Sequence, residues 1–439
     1  MRVALYVHCY YPEHFYGTES YTRTVARELA ALGHEPVVVT ATFPGEPAQP
    51  GLVERYTFDG IPVIRIDRNV HPNTGLRDTY GLPALRAVHE RILRGIAPDV
   101  VHVCHLINHT SALLEVTRRL GLPTVASFTD FFGFCYTNKL SDIRGRLCAG
   151  PNAARSNCVA CALFGDDAAR AGVTGQVGSR LLPPVVARLP GLVPAWTEMI
   201  RALKDRPAHL AAAYASYAGA LVPTRFMQDA YRRSGISVPV ELSRFGIDID
   251  RAPKPVRAAG PVRLGFVGQL AEHKGLHLLL DALRRHPAGA FTLDIYGDEK
   301  LDPPYAVRVR GLAQGLEATF RGTFTLDRIA AVLGEMDLLV IPSTWVENSP
   351  LILLQALATH TPVLVADVEG MTEFVEPGRN GFTFTPGSVT ALAARLAMFA
   401  EQPGLARDMS AMTHYERTSH HMVQDVAALY ARALERTAG

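Results

Sequence analysis

Short, unbroken apolar runs alternate with helix-length stretches through most of this chain. That alternation constrains the fold more than any other feature of the sequence. A strand covered on one face alternates apolar and polar residues. A strand covered on both faces reads as a continuous apolar run, and such strands belong to parallel sheets flanked by helices. Runs of this kind stand at 2–8, 36–40, 100–103 and 124–127, and further strands are expected at 262–267, 291–296, 337–341 and 362–365. Helices are expected from Gly17 to Leu32, stopped by Gly33, and near 275–285, 325–333 and 350–359. Strand, helix, strand in repetition predicts an α/β fold of doubly wound sheets.

A chain of 439 residues is too long for one ordinary core and suits two such domains. The segment Lys254–Pro261 has the composition of a linker and sets the boundary: residues 1–253 form one Rossmann-like domain and 254–414 a second. Residues 131–206, rich in Cys, Gly, Pro and Ala, interrupt the alternation and read as an insertion in the first domain. Ligands of open α/β sheets bind beyond the carboxyl ends of the strands, so two facing sheets would create one inter-domain cleft. The balance of 44 basic against 42 acidic residues gives no electrostatic case for a nucleic-acid partner. No run of about 18 apolar residues occurs, and the first apolar run is too short for a signal peptide. A cytoplasmic protein with reduced thiols is expected.

Two segments carry candidate chemistry. In the first, the strand ending at Gly268 is followed by Gln269 to Gly275, with Lys274 at the entrance to a helix. A lysine beside free helix N–H groups suits a diphosphate, although a surface lysine at a loop–helix join reads the same way. In the second, the strand 337–341 runs into Pro342-Ser343-Thr344-Trp345-Val346-Glu347-Asn348-Ser349-Pro350. Pro350 is placed at the first helical position. Glu347 can accept hydrogen bonds from sugar hydroxyls or simply cap the helix, and Gln355 can reach a ribose.

At this point the chain resembles the family-four glycosyltransferases, retaining enzymes of the GT-B fold. The resemblance runs through Tyr10-Tyr11-Pro12, Gly17-Thr18-Glu19, Gly33 to Val37, Val222 to Phe226, Phe245 to Asp248, Gly268 to Gly275, Ile295-Tyr296-Gly297, the Glu347 segment, Gly370 to Glu373 and Gly378 to Phe382. It implies transfer of a sugar from a nucleoside-diphosphate sugar to a hydroxyl acceptor, free or lipid-linked, with retention of configuration and no catalytic metal. It further implies that a last helix, near 417–437 within 415–439, crosses back to the first domain.

By position, the resemblance implies that Lys274 holds the donor diphosphate, with Gln269 beside it. Glu347 would bind the transferred sugar, and Gln355 the ribose. Gly370, Met371 and Thr372 would offer backbone N–H groups. Tyr296 and Gly297 would line the donor site, and Gly17 would let the backbone approach the donor phosphate. Asp130 joins Glu347 and Lys274 among the catalytic candidates. Three positions depart from the family pattern. Gln269 stands where arginine is usual, Gln355 where a second glutamate is usual, and Thr129, before Asp130, where histidine is frequent. A decayed nucleotide-sugar-binding protein, and an epimerase or hydrolase on the same fold, are the competing readings.

Cys135, Cys148, Cys158 and Cys161 fall within the 131–206 insertion, and Cys158 and Cys161 have the Cys-x-x-Cys spacing of a zinc knuckle. A structural zinc, ahead of an iron–sulfur cluster, is expected there, with free thiols or disulfides as the alternatives. Such a set recurs in a subset of the resembled family. Cys9 and Cys104 read as small buried hydrophobes. His102, His105 and His109 follow a strand without an evident carboxylate partner and read as strand-end polar contacts rather than metal ligands. The stretch Arg180 to Pro190 would be a packed loop, or a peripheral contact with the inner face of a membrane, its prolines breaking any long helix.

Overall fold

The structure is a computed structural model that describes residues 1–46, 51–165, 173–254, 260–402 and 404–438. The chain divides into two compact units, Met1–Arg244 with Ser419–Gly439, and Phe245–Thr418. Residues 255–259 of the expected linker lie outside the described residues.

The first unit holds β1 (Arg2–Tyr6), β2 (Glu35–Ala41), β3 (Val53–Phe58), β4 (Ile61–Ile66), β5 (Val100–Val103), β6 (Thr124–Ser127), β7 (Gly219–Val222) and β8 (Val240–Leu242). They form one sheet in the order β3-β4-β2-β1-β5-β6-β7-β8, parallel except for the β3–β4 hairpin. The central strands are apolar because both faces are covered. Val3, Ala4, Leu5 and Tyr6 have no exposed surface, nor do Val100 and Val101. Burying each such side chain contributes about 1.5–3 kcal/mol. The helix Ser419–Ala438 belongs to this unit and buries Val423, Val426, Leu429 and Tyr430. Tyr430 shares a hydrogen bond of 2.7 Å with His102 Nδ1, on β5.

The second unit holds β9 (Val262–Val267), β10 (Phe291–Tyr296), β11 (Ala318–Gly322), β12 (Leu338–Ile341), β13 (Val363–Ala366) and β14 (Gly381–Phe384). They make an all-parallel sheet in the order β11-β10-β9-β12-β13-β14. In each sheet the strand order reverses once, between β1 and β5 in the first and between β9 and β12 in the second. Connections leave such a pair toward opposite faces, which opens a crevice at the carboxyl ends.

Within residues 131–206, the packed loop expected at Arg180 to Pro190 is corrected. The 131–206 segment is largely helical where described, through Ser156–Phe164, Val173–Arg188 and Thr197–Tyr214. It also has an apolar core of its own, in which Cys158, Val159, Val186, Ala187, Ile200 and Leu203 are buried together. The helix Val173–Arg188 continues through Pro183 and Pro184, which were expected to break it. Burial of Val186 and Ala187 in that core offsets the two missing N–H donors. Leu181 and Val185 remain exposed on it, as does Leu189 just after it. No described helix is long and apolar enough to cross a membrane.

Candidate functional site

In the second unit, the loops after β9 and β12 carry Lys274 and Glu347, one on each side of the switch point. Lys274 ends a short helical turn, Glu272–Lys274, and Gly275 caps the helix Leu276–Leu283 that follows. Its Nζ donates to Glu347 Oε1 at 2.6 Å and lies 5.1 Å from the centre of the Trp345 ring. The same Oε1 accepts from Ser343 Oγ at 2.7 Å and from Trp345 Nε1 at 2.9 Å. Three donors therefore converge on one oxygen of a carboxylate that is only 7% exposed, and among the described residues none bonds Oε2. Glu347 does not cap the helix Leu351–Ala358. The residue at that cap is Pro350, one position earlier than the sequence implied, and it makes no side-chain cap bond.

Two glycines hold these loops together. Gly275 has φ +75°, and a Cβ on it would lie 2.1 Å from the Pro342 carbonyl oxygen; the Thr344 N–H donates to His273 O at 2.9 Å alongside. Gly370 has φ +83°, and a Cβ there would lie 1.5 Å from the Glu347 carbonyl oxygen. Both positions need the left-handed backbone and the absence of a side chain. The Glu347 N–H donates to Glu369 O at 3.0 Å, so the loop after β13 fixes the backbone of the carboxylate loop.

The other candidates in this unit divide. Gln269 and Gln355 are partly exposed, the latter on the helix Leu351–Ala358. Thr372 opens the short turn Thr372–Phe374. Met371 is fully buried, and its N–H is directed at Val368 O, 3.4 Å away. Tyr296 is nearly buried, edge-on to Phe324. A Cβ on Gly297 would come within 2.4 Å of Gly268 O, so its smallness has a reason inside the sheet. Ser343 and Trp345 are the residues missed. Both stood in the quoted loop, but only the fold turns them toward one oxygen.

In the first unit, Gly17 begins the helix Gly17–Ala31, whose cap residue Tyr16 makes no side-chain cap bond. A Cβ on Gly17 would meet nothing within 4 Å. Thr18 Oγ1 and Thr129 Oγ1 share a hydrogen bond of 2.9 Å. Asp130 Oδ1 accepts the Phe132 N–H at 2.9 Å, and Oδ2 lies 2.8 Å from His105 Nε2. His105 thus has the carboxylate partner that the sequence did not reveal, because 25 residues separate the two. Its Nδ1 accepts the Ile107 N–H at 3.1 Å, which places the proton of the neutral ring on Nε2, facing Asp130.

His102 and His109 are strand-end contacts. His102 lies between Tyr430 OH and Ser127 Oγ, and His109 Nε2 is 2.8 Å from Val7 O. Cys9 is buried but is more than a small hydrophobe. Its Sγ donates to Glu19 Oε1 at 2.9 Å, while burial and then the Glu19 charge push the thiol up and keep it protonated.

Cys135 and Cys158 are buried, and Cys148 and Cys161 partly so; all four are free thiols. Cys158 and Cys161 share the helix Ser156–Phe164, and Asn157 Nδ2 donates to Cys148 Sγ at 3.5 Å. Cys135 Sγ lies 3.4 Å from Thr137 Oγ1. Burial, followed by the neighbouring thiols, pushes Cys158 and Cys161 up to about 12. Among the described residues, the only three metal-capable groups whose donor atoms all lie within 4.8 Å of one another are His8, Cys9 and Glu19, so the four sulfurs are gathered without forming a closed tetrahedral shell.

Both units are similar to known proteins. Residues 261–402 match the family model for glycosyl transferases group 1, and residues 15–146 match Glycosyltransferase Family 4. A GDP-mannose-dependent alpha-mannosyltransferase of Mycobacterium tuberculosis is 26% identical over 88% of this chain and 84% of its own. The putative colanic acid biosynthesis glycosyltransferase WcaL of Escherichia coli is 30% identical over 37% of this chain and 42% of its own. A glycogen synthase of M. tuberculosis is also 30% identical, over 44% of this chain and 47% of its own. These last two matches span less than half of either relative. Among solved structures, Anabaena Alr3699/HepE in complex with UDP and glucose superposes with a TM-score of 0.62 at 16% identity, over 98% of this chain and 99% of that one. The fold is that of the GT-B glycosyltransferases, and the two family matches, one in each unit, support a family-four-like member of them.

Proposed function

We propose that the chain transfers a sugar from a nucleoside-diphosphate sugar to a hydroxyl acceptor with retention of configuration. The observation that carries this reading is the Glu347 carboxylate. Three donors hold Oε1 and leave Oε2 for a sugar hydroxyl, and the Lys274 ammonium stands beside it. An ammonium has three N–H donors. Lys274 spends one on Glu347 and keeps others for the departing diphosphate. The helix Leu276–Leu283 begins directly behind it and adds the positive end of its dipole. Charge that develops on the leaving group is met by groups already in place, which is how such sites lower a barrier. Gln269, Gln355, Tyr296, Gly297 and the Gly370–Thr372 segment are assigned to the donor in the same reading, and Gly17 and Asp130 stay candidates within the first unit. The names of relatives and neighbours, with GDP-mannose in one and bound UDP in another, support a nucleoside-diphosphate donor.

Incubation with labelled UDP- and GDP-sugars, with and without acceptor alcohols, tests the assignment. A glycoside whose anomeric configuration matches the donor supports it. Donor consumed without acceptor indicates a hydrolase or epimerase. Nucleotide binding without turnover indicates a binding protein.

A further inference from the structure

The first unit contains a cavity of about 420 Å³, lined among others by Arg68, Asn108, Phe132, Tyr136, Asn138 and Arg206. The two arginines are its unusual feature. Arg68 is 1% exposed and Arg206 3%. Arg68 Nη2 donates to Asn73 Oδ1 at 2.6 Å, but among the described residues its Nε and Nη1 have no partner. Arg206 Nη2 donates to Phe132 O at 2.6 Å, and its Nη1 has none among the described residues. Among the described residues no carboxylate makes an ion pair with either. The neighbouring acids are engaged elsewhere: Asp78 receives Thr74, and Asp130 receives the Phe132 N–H and faces His105. Asn138 Oδ1, on the same lining, is also buried without a donor.

A buried guanidinium is retained at high cost unless something compensates it. Arginine does not escape by losing its proton. Among the described residues Arg68 keeps two nitrogens uncommitted, the fork that matches the oxygens of a carboxylate or phosphate, and Arg206 adds a third. The Arg206 guanidinium lies over the Phe132 ring, 4.9 Å from its centre, which leaves Tyr136 on the lining to meet the apolar side of a sugar ring, and Asn138 Oδ1 can accept from a hydroxyl. We propose that this cavity binds an anionic sugar, one carrying a carboxylate or a phosphate, and that Arg68 and Arg206 are the groups that receive its charge. Only in calling that sugar the acceptor does the inference rest on the transferase reading.

The test is calorimetry on the full chain with glucuronate, glucose 6-phosphate and glucose, run beside UDP and GDP. The charged sugars should bind at least tenfold more tightly than glucose. Arg68→Met and Arg206→Met should each erase that preference while nucleotide binding persists. Because Arg206 also ties down the Phe132 carbonyl, Arg206→Lys is the second variant: it keeps the charge, cannot serve the carbonyl and the ligand from one planar group, and should weaken charged-sugar binding without unfolding. Equal binding of charged and neutral sugars, or a preference that survives both Met substitutions, overturns the proposal. Failure of UDP and GDP to bind would count against the transferase reading and leave the anion site standing.

Discussion

Lys274 Nζ and Glu347 Oε1 lie 2.6 Å apart, and this contact joins the loops that leave the neighbouring strands β9 and β12. Two candidate residues separated by 73 positions are therefore one electrostatic unit. Alanine at either should weaken nucleotide-sugar binding by roughly 10- to 100-fold, since a charge-assisted bond contributes about 1.5–3 kcal/mol. The double variant should lose less than the sum, with a coupling of about 0.5–3 kcal/mol. Calorimetric titration of the four proteins measures this. Strict additivity would show that the pair does not act together on the donor.

Glu347→Gln separates charge from shape. The amide can keep an oxygen facing Ser343 and Trp345, so the thermal midpoint should barely move. Turnover should fall roughly 10- to 100-fold, because the position that receives the sugar hydroxyl is now occupied by a neutral group. Wild-type turnover in this variant would remove Glu347 from the chemistry.

Gly370→Ala and Gly17→Ala make opposite predictions about stability. At Gly370 the added Cβ would collide with the Glu347 carbonyl oxygen at a positive φ, so loss of about 1–3 kcal/mol and displacement of the carboxylate are expected together. At Gly17 the Cβ enters open space. Stability should hold there, and any loss of nucleotide-sugar affinity would come from the ligand's approach to the helix. Denaturant melts with parallel donor titrations read both effects.

Central strands were legible because burial on both faces leaves unbroken apolar sequence, as in β12 and β13. The edge strand β3, by contrast, has no fully buried residue and reads as ordinary polar chain. The helices of 131–206 were hidden by their prolines and cysteines, whose local preferences yield to a core assembled from distant residues. Lys274 and Glu347 were legible as loop residues after strands. Their contact was not, since it depends on the crossover that makes β9 and β12 neighbours. Arg68 and Arg206 were invisible for a related reason: nothing in a sequence marks an arginine as buried.

The first unit should lose stability in mild acid. Burial lowers His102 to about 3 and His89 to about 4, so both stay neutral in the folded chain, whereas an unfolded histidine takes up a proton near pH 6.5. Between those values the unfolded state binds more protons, and stability therefore falls as pH falls. At pH 5 each histidine withdraws about 2 kcal/mol relative to pH 8. Thermal midpoints recorded from pH 8 to 5 should drop, and His102→Asn should flatten the curve. A flat wild-type curve would contradict the burial of these rings as neutral groups.

The last prediction concerns Cys135, Cys148, Cys158 and Cys161, which we assign to one structural metal ion outside the transfer chemistry. Four thiols gathered around one helical turn form a donor set suited to zinc, and buried thiols give up their protons readily only to a cation. Zinc–sulfur bonds of about 2.3 Å set the four sulfurs about 3.8 Å apart. Since no three of them now lie within 4.8 Å of one another, loading must draw in the irregular stretch that carries Cys135 and Cys148. Protein purified without chelator should contain about one zinc per chain. Chelation should raise amide exchange across 135–161 and lower the thermal midpoint, yet leave nucleotide binding by the second unit unchanged. Cys158→Ser should abolish the metal and reproduce those changes. A visible chromophore with bound iron would move the assignment to an iron–sulfur cluster, whose thiolates stand further apart than those around a single ion. Metal-free protein in which all four thiols titrate freely, with the midpoint unaffected by chelator, would end the assignment and leave the cysteines as core residues of the first unit.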